Sequence, residues 1–175
     1  MQDPKEDVQS QKIGKRMLFL AWIAGLFIMT LWFDDLLSER FNPNQEPQSV
    51  SVGNATEVRL KQNRMGHYVT TGMINGKPVV FLLDTGATDV SIPANLASQL
   101  NLGMGYPSQA NTANGVVTVY DTRINTLQIG NIVLRDIAGN LNPGMNGEKI
   151  LLGMSALKQL EFTQKNDWLI LRSYE

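Results

Sequence analysis

Along the chain, apolar residues come first as one unbroken block and then as short alternating runs. Met17 to Phe33 reads MLFLAWIAGLFIMTLWF, seventeen residues without a charge. As a helix this run would cover about 25 Å, near the short limit for spanning a bilayer, and it would be apolar on every face. Lys15 and Arg16 precede it; Trp32 and Phe33 close it, and Asp34-Asp35 follow. Such flanks suit snorkelling at one end and an aromatic belt at the other. A cleaved signal peptide would carry a shorter apolar core and small residues at a cleavage site. The block's length and the following Asp-Asp-Leu-Leu-Ser-Glu-Arg predict instead an uncleaved anchor over 17–33. Lys12, Lys15 and Arg16 on the leading side put residues 1–16 in the cytoplasm by the positive-inside rule, with everything after Asp34 across the membrane. In a bacterium that means a single-pass protein of the inner membrane facing the periplasm.

Residues 34–56 are mostly polar, with two prolines in ERFNPNQEPQSVS, and read as a linker. From 57 to 175 the pattern is that of an all-β domain. Tyr68 to Ile74 alternates and ends in Asn75-Gly76, a two-residue hairpin signal. Val79 to Leu83 is a continuous apolar run of strand length, and Val90 to Ile92 is a further short strand. Pro93 to Leu100 is predicted as a short helix, with Leu96 and Leu100 four apart. Asn114-Gly115 signals another hairpin before Val116 to Tyr120. Ile124–Ile129, Ile132–Leu134, Ile150–Leu152 and Trp168–Leu171 complete the strands, and Ser155 is expected to cap a second short helix through about Leu160. Gly139 to Gly147, GNLNPGMNG, reads as a turn, since it lacks the Gly-Lys-Ser/Thr ending of a phosphate cradle.

Composition narrows the chemistry. A net charge of −1 with scattered basic residues gives no footing for nucleic acid. The chain has no cysteine and one histidine, His67. Thiol nucleophiles, disulfides and multi-histidine zinc sites are therefore excluded within one chain. Carboxylates remain as the main candidates, and no metal or organic cofactor is expected.

One carboxylate stands out. In Phe81-Leu82-Leu83-Asp84-Thr85-Gly86-Ala87-Thr88 an apolar strand runs straight into an acid. Burying a charge there costs several kcal/mol unless it is hydrogen-bonded or neutralised, so a merely solvating role does not explain it. Gly86 permits a tight turn and close backbone approach to the carboxylate. This segment resembles the signature of the pepsin-like and retropepsin-like aspartic proteases, and is most similar to the bacterial single-pass membrane retropepsin-like family. The resemblance covers about residues 60–175 and includes Ile150-Leu151-Leu152-Gly153-Met154.

The resemblance implies a single-lobe, closed β-domain and a set of roles. Asp84 would be the catalytic acid, supported by Thr85, Gly86, Ala87 and Thr88; Thr85 would lock the two loops of a dimer and Gly86 would contact substrate. A flap would close over substrate at Asn114, Gly115 and Val116, while Leu151, Leu152 and Gly153 would pack around the loop. Ala87 replaces the serine that pepsin-like enzymes often carry, which implies a less acidic pH optimum.

The chemistry needs two carboxylates sharing a proton, one to activate water and one to protonate the scissile carbonyl. Asp121-Thr122-Arg123 and Asp136-Ile137-Ala138 offer no second Asp-Thr-Gly. The expectation is therefore an endopeptidase acting on polypeptides as a homodimer, with Asp84 of each copy meeting at a two-fold axis. The competing reading is a retropepsin-like adaptor that binds a peptide or protein at the membrane without cleaving it. A metal site built from Asp84 and Asp89 lacks further ligands at suitable spacing.

Overall fold

The computed structural model describes residues 4–112 and 115–174; within these, the side chains of residues 4–16, 31 and 34–38 lie outside the description. The chain divides into two units, Met1–Glu39 and Arg40–Glu175.

Helix α1 runs Pro4–Phe41. Its apolar side chains, among them Leu18, Trp22, Phe27 and Met29, are exposed. The Thr30 hydroxyl donates to the Phe27 carbonyl at 2.7 Å. Among the described residues no helix is long and apolar enough to cross a membrane. Residue 31, inside the expected span 17–33, is outside that description, as are the side chains of the flanking Lys12, Lys15, Arg16, Asp34 and Asp35.

The second unit holds two sheets. Strands β1 (Ser49–Val52), β2 (Ala55–Lys61), β10 (Glu161–Lys165) and β11 (Trp168–Tyr174) form a four-stranded antiparallel sheet in the order β1-β2-β11-β10. The other strands are β3 (Val69–Ile74), β4 (Lys77–Leu83), β5 (Val90–Pro93), β6 (Pro107–Thr112), β7 (Gly115–Ile129), β8 (Ile132–Asn142) and β9 (Lys149–Leu152). They run in the order β3-β4-β9-β5-β8-β7-β6, and a further β3–β7 pairing curls the sheet on itself. Helix α2 (Met154–Leu157) follows β9 directly. The core between these layers is aliphatic with one ring: Phe81, Ile92, Ile124, Leu141, Ile150 and Leu171 are fully buried. Each such side chain contributes roughly 1.5–3 kcal/mol by leaving water.

The β-rich domain is as the sequence predicts, and its turn chemistry holds where it can be checked. Asn75 (φ 49°) and Gly76 (φ 76°) both take the left-handed backbone that a two-residue hairpin between β3 and β4 requires.

Several local expectations are corrected. The helix at Pro93–Leu100 is only a 3₁₀ turn over Ala94–Leu96, followed by irregular turns that end at Asn101 with φ 54°. The two strands expected at Val116–Tyr120 and Ile124–Ile129 are one 15-residue strand. Ile132–Leu134 is the start of an 11-residue strand, which also takes Gly139 to Asn142 out of the expected turn. Ser155 is not a cap: α2 begins after Gly153, with no side-chain bond capping it.

The stretch 34–56 also carries structure in its second half, which belongs to the folded unit beginning at Arg40. Beyond β1, the segment 42–44 is stitched to the β2–β3 region. The buried Asn44 side chain accepts from Lys61 N (2.6 Å) and donates to the carbonyls of Lys61 (2.9 Å) and Val69 (2.6 Å). Its backbone carbonyl accepts from Thr71 N at 3.1 Å, and Asn42 Nδ2 donates to Thr71 Oγ1 at 3.0 Å.

Candidate active site

β4 delivers Asp84. The strand lies between β3, its antiparallel hairpin partner, and β9, its parallel neighbour, with Leu82 opposite Leu151 and Leu83 opposite Leu152. Val79 and Phe81 are buried while Val80, Leu82 and Leu83 are half-buried, so one face of this continuously apolar run is fully covered and the other only in part. As the strand ends, Asp84 N still donates to Leu152 O at 3.1 Å, so β9 holds the first residue of the loop.

The loop then turns on itself. Gly86 N donates to Asp84 Oδ1 at 2.9 Å, and Ala87 N donates to Asp84 O at 3.2 Å. A Cβ at residue 86 would sit 3.2 Å from Asp84 Oδ1, tighter than an ordinary contact, so glycine gives the carboxylate its close backbone donor. Asp84 is half-buried while Thr85, Gly86 and Thr88 are exposed. The carboxylate thus stands at the surface of a single copy with one oxygen fixed from below.

The loop's far side is tied to α2. Met154 N donates to Ala87 O and Ser155 N to Thr88 O, both at 2.8 Å. Gly153 makes this approach possible: a Cβ there would lie 2.2 Å from Asp89 O and 2.8 Å from Ala87 O. Ser155, buried, accepts from Val90 N (3.0 Å) and donates to Ala138 O (2.7 Å), joining α2 to β5 and β8. Leu151 pairs with both Leu82 and Ser91. Sequence reasoning missed Ser155 in this role; a serine just after a strand and glycine carries a capping signal, and its true partners lie 65 and 17 residues away.

Of the expected flap, Gly115 (φ 107°) and the exposed Val116 open β7 at the tip of the β6–β7 hairpin, whose pairing extends to Thr112 opposite Gly115. Asn114 lies outside the described residues. The Thr112 hydroxyl donates to Gly115 O at 2.8 Å across that tip.

Other acids and candidate residues are occupied elsewhere. Asp121 Oδ1 accepts from Ser108 Oγ at 2.7 Å, and Asp136 forms a surface ion pair with Arg123. Met145 is half-buried, with Ser91 Oγ donating to its sulfur at 3.3 Å, whereas Met104 and His67 are exposed. Among the described residues no three His, Asp or Glu side chains converge into a metal-binding group. A surface cavity of about 190 Å³ lined by Thr71, Val79, Val80, Leu96, Leu100 and Glu148 includes no residue of the Asp84 loop. Thr85, Gly86 and Thr88 of the loop face open surface.

This architecture, a β-domain with an acid–threonine–glycine loop braced by a parallel strand and a short helix, is that of a retropepsin-like aspartic protease. The chain belongs to the family described as "gag-polyprotein putative aspartyl protease", whose model matches residues 70–159 and so takes in the loop, the β6–β7 hairpin, β9 and α2. A crystal structure of a retropepsin-like aspartic protease from Rickettsia conorii is similar over 72% of this chain and 96% of its own, at 28% identity and a TM-score of 0.60. Two uncharacterized proteins are similar in sequence. One, from the cobV 5′ region of a Sinorhizobium species, is 32% identical over 120 residues, 66% of this chain and 52% of its own. The other, from Rickettsia prowazekii, is 30% identical over 127 residues, 70% of this chain and 53% of its own. The chain therefore spans about half the length of these two relatives.

Proposed function

We propose that the chain is a membrane-anchored aspartic endopeptidase whose active site forms between two copies, each supplying Asp84. The observation that carries this reading is the loop itself: a half-buried carboxylate with Oδ1 held by Gly86 N at 2.9 Å and its surroundings exposed. One acid cannot act as both base and acid in the same step. Two Asp84 side chains facing each other share a proton because two adjacent carboxylates cannot both stay ionised. The ionised one takes a proton from water as that water attacks the scissile carbonyl carbon; the protonated one donates to the carbonyl oxygen. Thr85, exposed at the loop's apex, fits a contact between loops. The β6–β7 hairpin fits a flap over an extended peptide, and no metal or organic group takes part in these steps.

Anchoring is supported by the Met17–Phe33 block, whose described apolar side chains are exposed around α1. Water would leave that surface uncovered, whereas lipid would cover it. Thr30 bonds its hydroxyl within the helix, removing a polar group's demand for solvent. With the basic residues leading, the domain would face the periplasmic side of an inner membrane.

The test is cleavage of an unstructured protein by the full chain between pH 3 and 8, beside Asp84→Asn. Cleavage that vanishes in a folded Asp84→Asn variant supports the protease. A dimeric parent chain that binds peptides without cutting them makes it an adaptor.

A further inference from the structure

As a free polar tether, residues 34–56 would let the domain range about 80 Å from the end of the apolar block, at up to about 3.5 Å per residue. The fold takes that freedom away. α1 continues to Phe41, and Phe41 already belongs to the folded unit that begins at Arg40. Its carbonyl accepts from Asn63 Nδ2 at 2.9 Å, and Lys149 Nζ lies 3.9 Å from the centre of its ring. Asn42 Nδ2 donates to Thr71 Oγ1, and Asn42 Oδ1 accepts from Asn44 N, both at 3.0 Å. Asn44 bonds in turn to Lys61 and Val69 and forms a parallel bridge with Thr70. Asn42, Asn44 and Asn63 are buried, so opening this joint would strip partners from several buried polar groups at once.

The same bonds limit how far Asp84 can stand from a bilayer that holds the apolar block, whatever angle the helix makes with the domain. From Phe33, where the block ends, to Phe41 the helix rises about 12 Å. From Asn44 a path leads across to Thr70, then to Phe81 opposite it, and then along β4 to Asp84. Strand spacings of about 4.8 Å and a rise of about 3.3 Å per residue bound that path. The Asp84 carboxylate therefore stands no farther than about 40 Å from the membrane surface, a height that an extended peptide covers in about twelve residues.

We infer that the substrates are membrane-bound polypeptides, cut in the extended stretch beside their own anchors, and that the Phe41–Asn44 joint sets this limit. This rests on the reading of the chain as an anchored protease. A membrane-bound substrate shares a plane with the protease, so the two meet at raised effective concentration only where their heights overlap. A cleavable segment held well beyond that height meets a loop with no slack to follow it.

The test places the full chain in lipid vesicles with two anchored substrates. Each carries the same short cleavable segment, taken from an unstructured protein that the detergent-solubilised chain cuts. A stiff helical spacer of Glu-Ala-Ala-Ala-Lys repeats sets the segment about 15 Å from the anchor in one substrate and about 90 Å in the other. In vesicles the near substrate should be cut on the order of tenfold faster, because the far one lies outside the span. In detergent the two rates should be equal. Inserting about twenty Gly/Ser residues between Glu39 and Arg40 adds a flexible reach of about 25 Å on average and should close most of the gap in vesicles. Equal rates for the parent chain in vesicles would overturn the inference and leave the protease reading intact. A gap that the insertion does not change would also overturn it, since the joint would not be what limits reach. Failure to cut any unstructured protein, in detergent or in vesicles, would remove the protease reading and this inference with it. Release of the chain from vesicles by carbonate would do the same through the anchor.

Discussion

Gly153 lies against Asp89 so closely that a methyl group on its α-carbon would stand 2.2 Å from the Asp89 carbonyl oxygen. Nothing flexible can yield there, because the obstructing atoms belong to backbone that carries the far end of the Asp84 loop. Gly153→Ala should destabilise the domain by roughly 2–3 kcal/mol, at the upper end of overpacking costs. Denaturant unfolding checks this, and a variant within 0.5 kcal/mol (about the noise of a surface change) would contradict it.

Proteins with two-copy active sites dilute quadratically. Under the proposed two-copy site, mixing the parent chain with equal Asp84→Asn leaves about a quarter of randomly formed pairs with both acids, so cleavage should fall to about a quarter of the all-parent rate at the same total concentration. A fall only to one half would mean that each copy works alone.

Asn44 joins a segment of low sequence signal to the domain by three side-chain bonds. Asn44→Ala leaves the Lys61 N–H and the Lys61 and Val69 carbonyls without that partner. The expected loss is about 2–4 kcal/mol, from several buried groups losing hydrogen bonds at once. Asn44→Asp should recover little, because an ionised carboxylate can accept from Lys61 N but cannot donate to the two carbonyls.

Glu57 brings a pH dependence. Its side chain is 2% exposed, with Arg59 Nε 2.7 Å and Arg172 Nε 2.9 Å away. Hydrogen bonds from Arg59 first and Arg172 second hold its carboxyl below the usual range, against the opposing effect of burial. A depressed folded value means stability that is fully present above the unfolded value, near 4.5, and lost as pH falls through the lower folded value. Glu57→Gln should therefore cost about 1–2 kcal/mol at pH 7, at the low end because Arg59 is largely solvated, and the gap to the parent should narrow as pH falls below 4.5. A gap that stays constant from pH 7 to pH 3 would rule out this role.

Under the proposed anchoring, removal of residues 1–39 should move the protein from the membrane fraction to the soluble fraction, read by carbonate extraction and sedimentation. Retention of the shortened chain on membranes would place the attachment elsewhere.

The site was more legible than the edges of the domain, for physical reasons. Asp84 follows the apolar run Val79–Leu83 directly, where a charge is costly unless hydrogen-bonded, and Asn75-Gly76 has few uses besides a hairpin. Asp121, Thr122 and Arg123 interrupt the apolar run of β7, which is why its sequence pattern predicts two strands. Thr122 is nevertheless buried, its hydroxyl donating to Gly103 O at 2.6 Å, so the strand continues on a tertiary bond. β1 was hidden in polar sequence, although Gly53-Asn54, flanked by Ser-Val-Ser-Val and Ala-Thr-Glu-Val, is itself a hairpin signal. Asn42, Asn44 and Ser155 act through partners distant in sequence, and no local pattern encodes those.

The bracing of the Asp84 loop from β9 and α2, all within one chain, has a bearing on control. Among the described residues, every bond that holds the Asp84 loop is already made within a solitary copy. Under the proposed reading, output then follows how often two finished halves meet. Where most copies are still single, doubling their number in a membrane would raise the working population about fourfold by mass action. Modest changes in synthesis or crowding would separate a nearly silent pool from an active one.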